Sequence, residues 1–239
     1  MLKDLTNSHS RNHKISQLLN RRQKDITVFM DEVHKPHNLA AIVRTCDAVG
    51  IGEVHAVYPD YILHPDKQLR ECHGTAVGSN RWVKTHAYSD LSTGIDQVKS
   101  EGKQVLAAHM SDRAVDFRKI DYTQPTAILV GSELFGVSEH AASLADEHIT
   151  IPMVGMVQSL NVSVATAIIL YEAQRQREIA GGYAERQLTE QQCESLRLEW
   201  LHPRVKNLCD QHEIRYPKIN NEGNIEDKEW NILRQSVTK

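Results

Sequence analysis

The 239-residue sequence predicts an α/β domain with a mainly parallel sheet and helices on both faces, extended by helical segments at both ends. Three observations predict it. Short apolar runs alternate with stretches of helical periodicity, the pattern of strand–helix–strand units. Several of those runs, above all Thr126-Ala127-Ile128-Leu129-Val130, are apolar without alternation, as in strands covered on both faces. Hydrophobic content of 40% and charged content of 25% are ordinary for a globular chain long enough to bury one substantial core.

Near the N-terminus, Ile15, Leu18 and Leu19, at helical spacing among basic residues, predict an amphipathic helix over residues 10–23. Ile26 to Met30 is a short strand. Leu39, Ile42, Val43, Cys46 and Val49 form an apolar stripe that predicts a helix from Asn38 to Val49. Val54 to Tyr58 reads as a strand, residues 59–79 as irregular, and Trp82 to His86 as another strand. A polar helix over 89–101 leads into a strand from Gln104 to His109. After Thr126–Val130 come a helix over 138–146, a strand from His148 to Ile151, and a last core helix that Ser159 opens and that runs from Leu160 to Ile179. Beyond Gly181-Gly182 the chain turns polar. Residues 183–239 hold nine Lys/Arg against ten Asp/Glu, with helices near 187–199 and 203–212. This divides the chain into a basic helical extension (1–24), a core domain (25–180) and a C-terminal extension (181–239).

Composition excludes several classes. The four cysteines, Cys46, Cys72, Cys193 and Cys209, are scattered without a C-x-x-C pair, which fits a reducing compartment rather than a disulfide framework or a zinc ribbon. No apolar run approaches membrane-spanning length and the N-terminus lacks an apolar signal core, so a cytoplasmic location is expected. Net charge is −3, yet residues 1–24 carry Lys3, Arg11, Lys14, Arg21, Arg22 and Lys24 against Asp4 alone, a local +5. Such a patch attracts phosphates, and it is equally the solvated face of a helix.

Familiar motifs are absent. Gly131 to Gly136 lacks the Gly-Lys-Ser/Thr of a phosphate loop, and Gly50-Ile51-Gly52 lacks the third glycine of a dinucleotide fingerprint. There is no G-x-S-x-G elbow and no H-E-x-x-H pair. His34 and His37 flank Lys35-Pro36 as a turn entering a helix would, so no metal is expected.

Three polar clusters remain, each at a strand-to-helix junction, where parallel sheets bind ligands. The first is His34-Lys35-Pro36-His37-Asn38 followed by Arg44, which points away from the apolar stripe between Ala41 and Ala48. An ordinary exposed arginine would satisfy the same pattern. The second is Gly131-Ser132-Glu133, where a glycine admits close approach and Glu133 either meets a cation or caps the next segment. The third is Ser159 with Asn161, both good helix caps. Ahead of it the loop Met153-Val154-Gly155-Met156-Val157 is apolar where surface loops are polar.

In this order the clusters resemble a known family. Asn38-x5-Arg44-Thr45, Gly131-x-Glu133-x2-Gly136, and Ile151-Pro152-Met153 through Ser159-Leu160-Asn161-Val162-Ser163-Val164-Ala165 are similar to the three motifs of the SpoU/TrmH branch of the SPOUT RNA 2′-O-methyltransferases. "VDFRKIDYTQPTAIL" and "RYPKINNEGNIEDKEW" extend the likeness over nearly the whole chain, while residues 59–75 look like an insertion. The resemblance implies a C-terminal trefoil knot whose apolar loop wraps S-adenosylmethionine. It implies main-chain contacts to the adenine from Ile151 and Leu160, with Ala108, Gly131, Met156 and Ser159 around the cofactor. Arg44 would be catalytic, with Asn38, Glu133 and Asn161 arranging the site. RNA would meet Arg11, Arg21, Arg22, His37, Arg175, Arg177 and the C-terminal extension. The implied reaction is methylation of the ribose 2′-hydroxyl of guanosine 18 in the tRNA D-loop by a homodimer packed through the knot. Another RNA target, ribosomal or anticodon, and a non-catalytic RNA-binding relative are the alternatives.

Overall fold

The computed structural model describes residues 2–58, 81–226 and 228–232, with side chains from Arg11 onward. The irregular stretch expected at 59–79, with its insertion at 59–75, lies outside the described residues. Seven strands form one sheet: β1 (Ile26–Asp31), β2 (Glu53–Val57), β3 (Lys84–Tyr88), β4 (Gln104–Ala108), β5 (Val115–Asp116), β6 (Thr126–Val130) and β7 (Glu147–Thr150). Their order is β3-β2-β1-β6-β4-β7-β5, and every pairing is parallel. β1 sits inside the sheet, with Phe29 opposite His55 on one side and Leu129 on the other.

The helices among the described residues are α1 (Leu2–Arg21), α2 (Pro36–Ala48), α3 (Leu91–Ser100), α4 (Glu139–Leu144), α5 (Val162–Ile179), α6 (Glu190–Leu201) and α7 (Pro203–Gln211). Because successive strand residues face opposite sides, the core splits in two. Val28, Met30, Leu106, Ile128 and Val130 pack with Leu39, Ile42 and Val43 of α2 and Ile169 and Leu170 of α5. Phe29, Val105, Ala107, Ala127 and Leu129 pack with Ile95 and Val98 of α3 and Ala141 and Ala142 of α4. Helices therefore cover both faces, and the continuous apolar runs are the strands buried twice.

Two boundaries differ from expectation for local reasons. α2 opens at Pro36 rather than Asn38, since proline is preorganised for the first helical position. α5 opens at Val162, not at Ser159, because Asn161 caps it by accepting the Ser163 N–H at 2.8 Å. Ser159 and Leu160 stay in the preceding loop. β5 and a 3₁₀ turn at Phe117–Lys119 have no counterpart in the sequence reading, two or three residues being too few for a periodicity.

The chain divides into two compact units, Gln23–Tyr183 and one built from both chain ends, Met1–Arg22 with Ala184–Lys239. Within the latter, buried Asn12 donates from Nδ2 to the Asn221 carbonyl at 2.6 Å and accepts from Arg197 at 3.1 Å.

One buried group in the sheet titrates unusually. His55 of β2 is 3% exposed, stacks between Phe29 and His86, and has Nδ1 2.9 Å from the Tyr88 hydroxyl. Burial, and then repulsion by His86, push its pKa down to about 4. The unfolded chain takes up this proton near 6.5 and the folded chain only near 4, so the contribution to stability is full above 6.5 and lost as pH falls between those values. Chemical denaturation should show a loss on the order of 3 kcal/mol over that window. His55→Phe should remove most of that slope, and an unchanged slope would assign it to other groups.

Candidate cofactor and active site

Beyond the carboxyl ends of β1, β6, β4 and β7 lies a cavity of about 510 Å³, within the range of small-molecule sites. It sits beside the point where successive strands turn from one side of β1 to the other, the usual ligand position in such sheets.

Its polar corner is a hydrogen-bonded chain across three motifs. Glu133 follows β6, and its Oε1 accepts from the Asn38 side-chain amide at 2.8 Å and from the Lys35 N–H at 3.1 Å. Lys35 caps α2 without a side-chain bond of its own, so the carboxylate supplies an acceptor there, where the helix dipole favours negative charge. Asn38 Oδ1 in turn accepts from the Asn161 amide at 3.1 Å, while Asn161 Oδ1 caps α5. Capping and site assembly are thus two ends of one side chain.

Burial opposes ionisation of Glu133, but the Asn38 bond and the backbone N–H bonds of Glu133 and Lys35 outweigh it and hold the carboxyl below its ordinary range. Its side chain is only 6% exposed, and Oε2 has no hydrogen-bond partner. His34 Nδ1 comes within 3.4 Å of that oxygen but lies closer, at 3.0 Å, to the Glu32 carbonyl. A buried acceptor without a donor is costly, and here it borders a cavity.

Gly131 has a steric rationale within its own turn as well. A Cβ there would stand 1.9 Å from the Gly136 backbone, so the glycine is required by the close return of its own turn. That turn is closed by Gly136 N–H to Ser132 O at 2.9 Å, with Gly136 at φ +71°.

The cavity brings together Ala108, Gly131, Ile151, Ser159 and Leu160 with Asn38, Glu133, Asn161 and His37. Met156 stands apart. It is fully exposed at 100% and does not line the cavity, whereas Met153 does. Arg44 is exposed on α2 and also lies outside the lining, about 9 Å along the helix from Asn38 at 1.5 Å per residue. His109, Met110, Gln158 and Phe135 line it without any motif that marks them, though His109 directly follows the end of β4, where ligands are expected. Among the described residues no group of three or more His, Cys, Asp or Glu side chains is placed to hold a metal.

The arginines expected to meet RNA separate into two kinds. Arg11, Arg21 and Arg175 are exposed, the last holding Glu172 bidentately at 2.9 and 2.7 Å. Arg22 and Arg177 are not surface groups, which corrects the expectation for both. Arg22 is 2% exposed and lies over the Trp200 ring at 5.7 Å. Arg177, 3% exposed, donates to the carbonyls of Tyr122 and Gln124 and to Gln23, and pairs with Asp25 at 2.5 Å. It is a clamp holding the 122–124 turn against the entry to β1. Arg177→Ala should therefore cost about 3 kcal/mol in chemical denaturation, since it strands several buried acceptors. A loss under about 1 kcal/mol would contradict that role.

The SpoU rRNA Methylase family matches residues 25–171, and the SpoU rRNA methylase C-terminal family matches residues 175–228. The tRNA (guanosine(18)-2′-O)-methyltransferase of Escherichia coli (strain K12) is 47% identical over 227 residues, 94% of this chain and 96% of that protein. The protein of the same name from Thermus thermophilus is 47% identical over 194 residues, 81% of this chain and 97% of its own. Among solved structures, the A. aeolicus TrmH/SpoU tRNA modifying enzyme matches with a TM-score of 0.75 at 41% identity, covering 83% of this chain and 98% of that one. An AdoMet-bound rRNA methyltransferase from Sinorhizobium meliloti matches with a TM-score of 0.54 at 31% identity, covering 65% of this chain and 57% of its own.

Proposed function

The chain belongs to the SpoU RNA methylase family, and we propose from that premise that it methylates the ribose 2′-hydroxyl of guanosine 18 in the tRNA D-loop, using S-adenosylmethionine. The observation that carries the reading is the Glu133–Asn38–Asn161 chain beside the cavity, in a protein this similar to enzymes of that name.

The residues present fit the cofactor. Ile151, Leu160 and Val162 give an apolar wall for an adenine, loop backbone supplies polar groups, and the Glu133 Oε2 lone pairs await a donor. When bound, S-adenosylmethionine supplies a methyl group on a sulfonium, an already activated leaving group. The protein's share is alignment, exclusion of water and management of the hydroxyl proton. Asn38, held at both ends of its amide, is a rigid polar anchor for the incoming ribose. Arg44 acts as a cation: a guanidinium is not deprotonated in proteins, so it orients a substrate phosphate beside the hydroxyl or stabilises the developing alkoxide.

The family's trefoil knot belongs, in this reading, around the loop from Ile151 to Leu160. A homodimer packed there is supported by exposed apolar groups in one chain: Val154 at 106%, Met156 at 100%, Val157 at 61% and Tyr171 at 54%. α1 and the C-terminal residues 181–239 serve RNA binding, and the location is cytoplasmic. Arg11→Ala and Arg21→Ala together should flatten the salt dependence of tRNA affinity by roughly one unit of logarithmic slope per lost phosphate contact. An unchanged slope would return both residues to ordinary solvation.

The direct test is transfer of label from S-adenosylmethionine to an unmodified tRNA transcript. Label should enter the natural transcript and vanish when guanosine 18 is replaced. Label that persists in the replaced transcript, or enters ribosomal RNA alone, would redirect the assignment.

A further inference from the structure

The connection after β4 forms one wall of the cavity, and the end of β7 forms another. Besides the strand pairing itself, a buried ring joins them. His148 of β7 is 5% exposed, and its Nε2 meets the Ala142 carbonyl at 2.9 Å. A terminal nitrogen of Arg113 lies 2.5 Å from the same Nε2, so the ring edge is held between a carbonyl and a guanidinium. The Ser111 hydroxyl is in hydrogen-bond contact with Nδ1 at 2.7 Å. Arg113 closes over the same ring, with Nε 3.3 Å from Nδ1 and a terminal nitrogen donating to the Ala142 carbonyl at 3.2 Å.

His109 completes the arrangement. Its ring stands edge-on to His148, centroids 5.2 Å apart at 84°, and its backbone N–H meets the carbonyls of Ala107 at 2.9 Å and Ile149 at 3.2 Å. The side chain is half-buried and lines the cavity, yet neither ring nitrogen has a hydrogen-bond partner among the described residues. Alternate loop residues are thus fastened to His148, and His109, between the strand and the clamp, lines the ligand space.

We propose that His109 is a cofactor-contacting residue of this site, held in the cavity wall by a clamp of His148, Ser111 and Arg113. Burial, and then the proximity of His148 and Arg113, push the His109 pKa below the usual histidine range, which favours the neutral ring. A neutral imidazole offers one N–H and one lone pair and adds no charge beside a cationic sulfonium. His148, Ser111 and Arg113 act through it as positioning residues. The inference rests on the methyltransferase reading and adds a residue to its binding site.

Calorimetry of S-adenosylmethionine with the full chain tests it. His109→Ala should weaken binding about tenfold, the worth of one ligand hydrogen bond, with tRNA affinity and thermal stability unchanged. His109→Gln, which keeps a neutral donor and acceptor, should recover most of the loss. Ser111→Ala should weaken binding in the parent and add nothing in the His109→Ala background, the coupling expected of residues acting through one another. Arg113→Gln gives the same comparison by a second route. Wild-type affinity in His109→Ala, or additive losses in the double variants, would overturn the proposal. Failure of the unaltered protein to bind S-adenosylmethionine would sink the methyltransferase reading instead, so the two failures are distinguishable.

Discussion

Arg44→Lys is expected to lower methyl transfer by about a hundredfold or more, with the dissociation constant for S-adenosylmethionine changed less than about twofold. Lysine keeps the positive charge but loses the planar fork that holds a phosphate or two oxygens at once. The split comes from placement. Arg44 is exposed on α2 and lies outside the residues lining the cavity, while Asn38, on the same helix, lies within it. Removing the fork should therefore leave the cofactor's walls intact and damage only the handling of the ribose and its phosphate. Arg44→Ala should lose still more turnover with the same cofactor affinity. Near-normal turnover in the lysine variant would take Arg44 out of the chemical step, and a matching loss of cofactor binding would make it part of the pocket.

Gly131→Ala should be as damaging by a different route. The added methyl would stand 1.9 Å from the Gly136 carbon and oxygen and 2.0 Å from the Val137 nitrogen, all backbone atoms that cannot swing aside. The turn over 131–136 must open, and Glu133 lies inside it. Ordinary overpacking costs about 1–3 kcal/mol, and a clash with main chain should exceed the upper figure. Denaturation should show at least ~3 kcal/mol of lost stability, and cofactor binding should fail with it as the Asn38–Glu133 bond is pulled apart. Wild-type stability in Gly131→Ala would mean that the turn has freedom this geometry denies. Gly136→Ala probes the same turn from its other end, where the strain is conformational: φ is +71° with no atom near the missing Cβ, so its cost should be the smaller of the two.

How far the fold and the site are legible in the sequence depends on how local each cause is. Thr126–Val130 is read off as a doubly covered strand because burial on both faces writes itself into five consecutive side chains. The stripe of Leu39, Ile42, Val43 and Cys46 likewise foretells the buried face of α2. The Asn38, Glu133 and Asn161 positions can be suspected from their junctions, but not their hydrogen bonds, which join residues 95 and 123 positions apart. The start of α5 differs from expectation because Ser159 and Asn161 are both capable caps, and only the geometry shows which one accepts the Ser163 N–H. Charge misleads most. Arg177 has the same composition signal as Arg175 two residues earlier, yet one is a buried clamp and the other a surface ion pair. His148, Ser111 and Arg113 carry no motif at all, and their convergence is set by the pairing of β4 with β7.

One ribose, at one nucleotide of the tRNA, is expected to carry the new methyl group. Alkaline hydrolysis of an end-labelled tRNA transcript, after incubation with the protein and S-adenosylmethionine, reads both at once. A 2′-O-methyl group removes the hydroxyl that cleaves the adjacent phosphodiester, so the ladder should be complete except for the single band 3′ to guanosine 18. A gap at any other nucleotide, or an uninterrupted ladder on RNA that has nevertheless gained methyl label, would contradict that expectation.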